Sequence, residues 1–149
     1  MKSIFTKYRL QMIKEESHKY EISKKISSPK DATEVVKCVL GLHEQAEEVG
    51  VLITLNNKNN VTGLFEVSRG TINASYLNCR EIFKRAILNN AKSIIVAHNH
   101  PSGDSTPSKE DISVTEAIKK SGHFLGIELL DHIIIGDDNS TSLKERGLI

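Results

Sequence analysis

The chain has little of what stabilises small secreted proteins and nothing that indicates a membrane protein. Only two of its 149 residues are cysteines, Cys38 and Cys79, and none is tryptophan. The cysteines do not form the CxxC spacing of a zinc ribbon or a redox pair, so we interpret both as reduced structural thiols. No apolar run approaches the roughly 20 residues of a membrane span, and the first residues lack the apolar core of a signal peptide. These absences favour a cytoplasmic domain that does not contact membranes.

What the chain does have is the composition of one ordinary globular domain with a basic head. Hydrophobic residues make up 38% and charged residues 26%, close to globular averages. Residues 1–30 hold eight of the 20 Lys and Arg but only three of the 19 Asp and Glu. We therefore divide the chain into a basic N-terminal appendage, residues 1–27, and a domain, residues 28–149. A basic arm can bind nucleic acid through phosphate contacts, although a solvated lead-in segment is the simpler interpretation.

Hydrophobic periodicity and capping residues predict helices that alternate with strands. Ser28, Pro29 and Asp31 are typical of a helix start, and Asn78 with Glu81 is a second capping arrangement. The run SIIVA is β-branched and apolar, as in a central strand. The predicted helices cover about 28–43, 78–90 and 106–122, and the predicted strands cover about 51–55, 61–68, 93–97, 126–130 and 132–135. This order predicts an α/β sandwich around one mixed sheet.

The central strand leads directly into His98 and His100, which are the first candidates for metal ligands. Residues two apart in an extended strand point the same way, so both imidazoles can face one point while Asn99 faces the opposite side. Pro101 supports this geometry, because a residue before proline favours an extended backbone. The spacing therefore indicates a two-histidine metal site.

Ser108 and Asp111 lie three residues apart at a predicted helix start, so they share one helical face. Two imidazoles and the Asp111 carboxylate form a nitrogen and oxygen ligand set with one open position, as in catalytic zinc sites. A zinc-bound water in that position has a pKa of about 7, which makes hydroxide available near neutral pH. The helix N-terminus and the Ser108 hydroxyl are placed to stabilise an oxyanion.

These four residues follow the signature HxH(x7)SxxD, and the chain thereby resembles the JAMM/MPN-domain zinc metalloprotease family. The segments GTINAS, AHNHPSGD, TPSKEDI and LDHIIIG resemble its RadC-like branch, the RadC-like JAB domain. The resemblance implies an MPN (JAB)-type three-layer sandwich, related in architecture to cytidine-deaminase-like folds. It also implies one zinc ion on His98, His100 and Asp111 with water in the fourth position, and hydrolysis of a peptide or isopeptide bond in a peptide or protein substrate.

The resemblance further implies a glutamate near the first strand that acts as general base. Glu48, directly before VLITL, is the first candidate, because a carboxylate near a metal-bound water has the basicity to shuttle its proton. Glu47 is a close competitor and Glu66 a distant one. The family label of DNA repair comes from the resemblance alone.

Other interpretations of the site are weaker. A non-enzymatic metal-binding scaffold in a protein or DNA-repair complex does not need an open coordination position. A nucleobase deaminase needs a glutamate two residues after its ligand histidine, and that position here is His100. An iron oxygenase would leave more positions open.

Asp131 and His132 are candidates for a hydrogen bond to a ligand imidazole, or equally for a strand cap. His18, His43 and His123 belong to no pattern and are interpreted as surface residues.

Overall fold

The computed structural model describes residues 1–70 and 77–149. In those residues three α-helices, one short 3-10 helix and five strands occur. The helices are α1 (Pro29–Cys38), α2 (Cys79–Leu88) and α3 (Lys109–Leu125), and the 3-10 helix is Leu42–Glu44. The strands are β1 (Val49–Leu55), β2 (Val61–Arg69), β3 (Ser93–Asn99), β4 (Glu128–Ile135) and β5 (Ser140–Ser142). Most of the segment GTINAS, quoted for the family resemblance, lies outside the described residues.

The strands form one mixed sheet in the order β2-β1-β3-β4-β5. Strand β3 pairs antiparallel with β1 and parallel with β4, while β1 with β2 and β4 with β5 are antiparallel. Alternate residues of the buried central strand therefore serve two cores. Ile95 and Ala97 contact the face covered by α1, and Ile94 and Val96 contact the face covered by α2 and α3. The predicted three-layer α/β sandwich around a mixed sheet is confirmed.

Helix α3 differs from its predicted bounds at both ends. Ser108 caps its start, two residues after the start predicted at 106, and the helix runs on past Gly122 to Leu125. Gly126 ends it in the left-handed conformation (φ 69°), which glycine adopts without a steric cost. Gly122 has a different purpose, because a Cβ there would lie 2.3 Å from the Ile127 carbonyl oxygen. Glycine at 122 allows the chain leaving the helix to pass close to it.

The strands also depart from the predicted ranges. In place of the two strands predicted at 126–130 and 132–135 there is one strand, β4 (Glu128–Ile135), and β5 was not predicted. Strand β1 begins two residues earlier than predicted, at Val49, and β3 continues to Asn99. Because β3 is longer, His98 belongs to the strand itself, opposite Gly50 of β1. The pairing brings the end of β3 and the start of β1 together at one edge of the fold.

The last residues of the N-terminal segment join it to the sheet and the core. Residues 1–20 are exposed and have no regular structure. Lys25 then forms an antiparallel bridge with Asn60 beside β2, and Ile26 is buried in the core on the α1 side. None of the described helices has the length and apolar character needed to cross a membrane.

Candidate metal site

The site lies where the carboxyl end of β3 meets the N-terminus of α3. His98 is completely buried in β3, and His100 follows the strand end and is partly exposed. Asp111 lies in the first turn of α3 and is also completely buried. The backbone N–H of His100 donates to the Ile135 carbonyl (2.8 Å), which continues the pairing of β3 with β4 past the strand end.

Both imidazoles present their Nε2 atoms to the Asp111 carboxylate. The two Nε2 atoms are 2.9 Å apart. The Nε2 of His98 lies 3.2 Å from Oδ1 of Asp111, and the Nε2 of His100 lies 3.3 Å from Oδ2. The three residues that the sequence predicts as metal ligands are thus brought together around one point.

Hydrogen bonds on the far side of His98 determine which of its nitrogens carries the proton. The Thr115 hydroxyl donates to the Asp111 carbonyl (2.5 Å), because a carbonyl can only accept. Its oxygen must then accept from Nδ1–H of His132, at 2.6 Å. Nε2 of His132 is therefore an acceptor, and Nδ1–H of His98 donates to it at 2.8 Å. This relay leaves a lone pair on Nε2 of His98, directed at the site.

His100 has the same tautomer for a different reason. Its Nδ1 lies 2.7 Å from the backbone carbonyl oxygen of Asp104 in the loop before α3. A carbonyl only accepts, so Nδ1 carries a proton, and in the neutral imidazole the lone pair is then on Nε2. Both histidines thus have the arrangement of metal-binding imidazoles, in which the outer N–H is hydrogen-bonded and the inner nitrogen is unprotonated.

This donor set fits a metal ion. Two imidazole nitrogens and a carboxylate directed at one point form the nitrogen and oxygen ligand set that zinc binds. Tetrahedral zinc with bonds of about 2.0–2.1 Å separates neighbouring ligand atoms by about 3.3–3.4 Å. The observed separations of 2.9, 3.2 and 3.3 Å are close to that value. A metal ion would therefore require small movements of these side chains.

Ser108 holds Asp111 in place through a capping box at the start of α3. The Ser108 hydroxyl accepts from the Asp111 backbone N–H (3.0 Å), and the Ser108 backbone N–H donates to Oδ2 of Asp111 (2.7 Å). The hydroxyl proton is not used in either bond. Ser108 is consequently a structural cap whose hydroxyl keeps a proton that it could donate to a ligand.

Glu48 lies immediately before β1 and beside the histidines. Its carboxylate and one ring nitrogen each of His98 and His100 lie within 4.8 Å of one another, so these three residues also form a group able to hold a metal. Asp111 lies 3.2 Å from Nε2 of His98 and 3.3 Å from Nε2 of His100, so two carboxylates are within reach of the same two histidines. Glu48 is partly buried. Burial raises its pKa, the charge of His100 opposes the rise, and repulsion from Asp111 adds to it.

The two competing glutamates have other surroundings. Glu47 is exposed, and its carboxylate approaches Gly70 at the end of the β1–β2 hairpin. Glu66 binds the Arg69 guanidinium through both carboxylate oxygens, at 2.8 and 2.9 Å. This bidentate bond lowers the pKa of Glu66.

Burial also controls the charges of the site's inner residues. It holds the pKa of His98 well below the ordinary value, and repulsion from His132 and His100 lowers it further. The pKa of His132 falls to about 3 for the same main reason, with repulsion from His100 adding to the shift. Burial raises the pKa of Asp111, although the backbone N–H of Ser108 opposes the rise. The imidazoles of His98 and His132 are therefore neutral near pH 7.

Of the adjacent pair Asp131 and His132, only His132 contacts a ligand imidazole. Asp131 instead accepts from the Ser142 hydroxyl (2.6 Å) and the Lys144 backbone N–H (3.1 Å), which fastens β5 and the turn after it to β4. The other three histidines, His18, His43 and His123, are exposed as predicted.

Two residues of the site were missed in the sequence. Thr115 is four residues after Asp111, so it lies on the same face of α3, and that spacing was an available signal. Asn99 faces away from the imidazoles, as expected, and its side chain binds the segment that carries Glu48, which was not expected. No sequence pattern connects Asn99 with residues some fifty positions earlier.

Known proteins similar to this chain show its family. The model of the RadC-like JAB domain family matches residues 26–148. A UPF0758 protein of Clostridium beijerinckii is 52% identical over 126 residues, which cover 84% of this chain and 54% of that protein. A UPF0758 protein of Moorella thermoacetica is 57% identical over 97 residues, or 65% of this chain and 42% of that protein. The chain spans about half the length of the curated relatives it matches. Because the family model covers most of the chain, this protein belongs to the RadC-like JAB domain family.

Proposed function

We propose that the protein is a zinc-dependent metallohydrolase that cleaves a peptide or isopeptide bond. The observation that carries the proposal is the convergence of two unprotonated imidazole nitrogens and a carboxylate, with separations of 2.9–3.3 Å, beside a second carboxylate. A closed structural site would need a fourth protein ligand and no acid or base beside it. A hydrolytic site needs both an open position and a proton carrier.

His98, His100 and Asp111 would hold the metal. When bound, zinc supplies a Lewis acid that polarises the substrate carbonyl and lowers the pKa of water to about 7. Each ligand is held by a contact outside the metal: His98 by His132, His100 by the Asp104 carbonyl, and Asp111 by the backbone of Ser108. Such outer contacts fix the ligands before any metal binds.

Glu48 would carry the proton in the reaction. Its carboxylate accepts a proton from the attacking water and then donates it to the departing amine nitrogen as the C–N bond breaks. The raised pKa of Glu48 suits both steps, because a carboxyl group whose pKa is nearer neutrality can both accept and release a proton near neutral pH. The Ser108 hydroxyl accepts a hydrogen bond as the cap of α3 and keeps its own proton. It would donate a hydrogen bond through that proton to the oxyanion of the tetrahedral intermediate.

The test is metal content of the purified protein with a matched control. We expect near-stoichiometric zinc in the wild type and its loss in Asp111→Ala. Asp31→Ala is the control, because Asp31 occupies the same capping-box position in α1 and would lose the same kind of cap without loss of a ligand. Equal zinc in Asp111→Ala and wild type, or no zinc in the wild type after incubation with the ion, would refute the proposal.

The alternative to an enzyme is a scaffold that binds metal only for shape. Removal of the metal separates the two: a scaffold would lose its folded structure in a chelator, whereas a hydrolase with preformed ligands would keep its circular dichroism spectrum.

A cytoplasmic location, nucleic-acid binding by the basic segment of residues 1–27, and a role in DNA repair remain further proposals. Salt-dependent binding of a short duplex by the full chain, lost when residues 1–20 are removed, would support the second of these.

A further inference from the structure

The side chain of Asn99 connects the histidine strand to the segment that carries Glu48. Asn99 lies between the two candidate ligand histidines and is only 3% exposed. Its Oδ1 accepts the backbone N–H of Val49 at 2.7 Å. Its Nδ2 donates to the carbonyls of Glu47, at 2.9 Å, and Gln45, at 3.2 Å. One buried amide thus makes three hydrogen bonds to a stretch of five residues.

Two of these bonds bracket Glu48. The Glu47 carbonyl belongs to the peptide group before the Glu48 Cα, and the Val49 N–H belongs to the peptide group after it. Because both peptide groups are held by the same amide, the backbone torsions of Glu48 are fixed, and with them the direction in which its side chain leaves the chain. Residues 45–48 have no helix or strand of their own to supply this order.

The strand pairing explains why the amide has this position. In β3 the residues Ile95, Ala97 and Asn99 face the α1 side, while Ile94, Val96 and His98 face the α3 side. Asn99 can therefore bind the segment before β1 without competing with the imidazoles for the metal. A fourth hydrogen bond supports the same segment, since the Gly70 N–H donates to the Glu48 carbonyl at 2.8 Å.

From this geometry we propose that Asn99 is a positioning residue that orients Glu48 towards the metal site. The middle residue of the sequence His98-Asn99-His100 thereby links the ligand strand to the proton carrier. This inference rests on the proposed function, because it gives Asn99 a task only if Glu48 acts beside a bound metal.

The probe for this inference is Co²⁺, whose visible absorption reports the groups around the ion. Asn99→Ser is expected to bind Co²⁺ within about threefold of the wild-type affinity, because all three ligands remain. Its absorption bands should shift to those of Glu48→Gln, because Glu48 no longer faces the ion. In the double variant Asn99→Ser with Glu48→Gln, the bands should be those of Glu48→Gln alone, since Asn99 acts through Glu48.

Asn89→Ser is the matched control for the loss of a bridging amide. Asn89 also joins β1 to a neighbouring strand, through Thr54 (2.6 Å) and Thr62 (3.2 Å), but at the opposite end of β1 from the site. This variant should lose stability and keep the wild-type spectrum. If Asn99→Ser does not fold, Asn99→Asp replaces it, because Asp keeps the acceptor for Val49 and loses only the donor.

The outcomes separate the two proposals. Wild-type protein that does not bind Co²⁺ would refute the metal site and this inference together. Wild-type protein that binds Co²⁺, with an Asn99→Ser spectrum equal to that of the wild type, would refute only the role of Asn99. Identical spectra for Glu48→Gln and the wild type would place Glu48 outside the surroundings of the ion and would equally overturn the inference.

Discussion

Thr115→Val tests whether hydrogen bonds behind the site prepare His98 for a metal. Valine has nearly the shape of threonine, so the substitution removes the hydroxyl and little else. Within residues 1–70 and 77–149, the lost hydroxyl is the one hydrogen-bond partner of Nδ1–H of His132, and both residues are completely buried. A buried N–H without a partner costs about 1–3 kcal/mol. His132 can avoid this by moving its proton to Nε2, but His98 must then carry its own proton on Nε2, the atom that would bind the metal.

When zinc binds to Thr115→Val, His98 and His132 must return to their original tautomers, and Nδ1–H of His132 is then buried without a hydrogen-bond acceptor. We therefore expect zinc affinity to fall by about 10–100-fold, the usual effect of losing an outer partner of a ligand histidine. The affinity is measured by competition with a chromophoric chelator, and the tautomers by ¹⁵N chemical shifts of the imidazoles. Thr115→Ser keeps the hydroxyl and should bind as the wild type does. Wild-type affinity and unchanged ¹⁵N shifts in Thr115→Val would refute the relay.

Three further predictions concern the helices. Ser108→Ala and Ser28→Ala should each lower the free energy of unfolding by about 1 kcal/mol in urea titrations, because each removes the side chain of an N-cap. Only Ser108→Ala should slow hydrolysis once a substrate is found. Equal hydrolysis rates in the two variants would limit Ser108 to capping. Gly122→Ala should cost about 1–3 kcal/mol, because its Cβ would collide with the Ile127 carbonyl, and an unchanged melting temperature would contradict that contact. The stability difference between wild type and Asp31→Asn should be present at pH 7 and begin to shrink as the pH falls below about 4, the ordinary pKa of an Asp side chain. Hydrogen bonds from the Ser27 and Ser28 backbone lower the pKa of Asp31 in the folded protein. Its carboxylate therefore stabilises the fold above the pKa that Asp31 has in the unfolded chain, and this contribution is lost as pH falls through the pKa of the folded protein. A stability difference that stays constant from pH 7 to pH 3 would contradict this prediction.

The general form of the fold could be read from the sequence because it depends on local patterns. Capping residues located the starts of α1 and α2, and the apolar run of β3 located the central strand. The ends of elements were less accurate. Gly122 was interpreted as a helix end because glycine often ends helices, but here its role is a close approach to the chain that follows α3. Such a contact belongs to tertiary packing and has no local signal.

The sequence by itself determined two pairs of residues that share a face at the candidate site. Strand alternation paired His98 with His100, and helical spacing paired Ser108 with Asp111. Only the tertiary structure decided that Glu48 lies beside the histidines while Glu47 is exposed, because that choice depends on how β1 pairs with β3. It also decided the tautomer of His98 and the contacts of Asn99, since both depend on hydrogen bonds between residues 17 to 54 positions apart. Local spacing fixes which side chains share a face, and only the packing of distant segments fixes what those side chains touch.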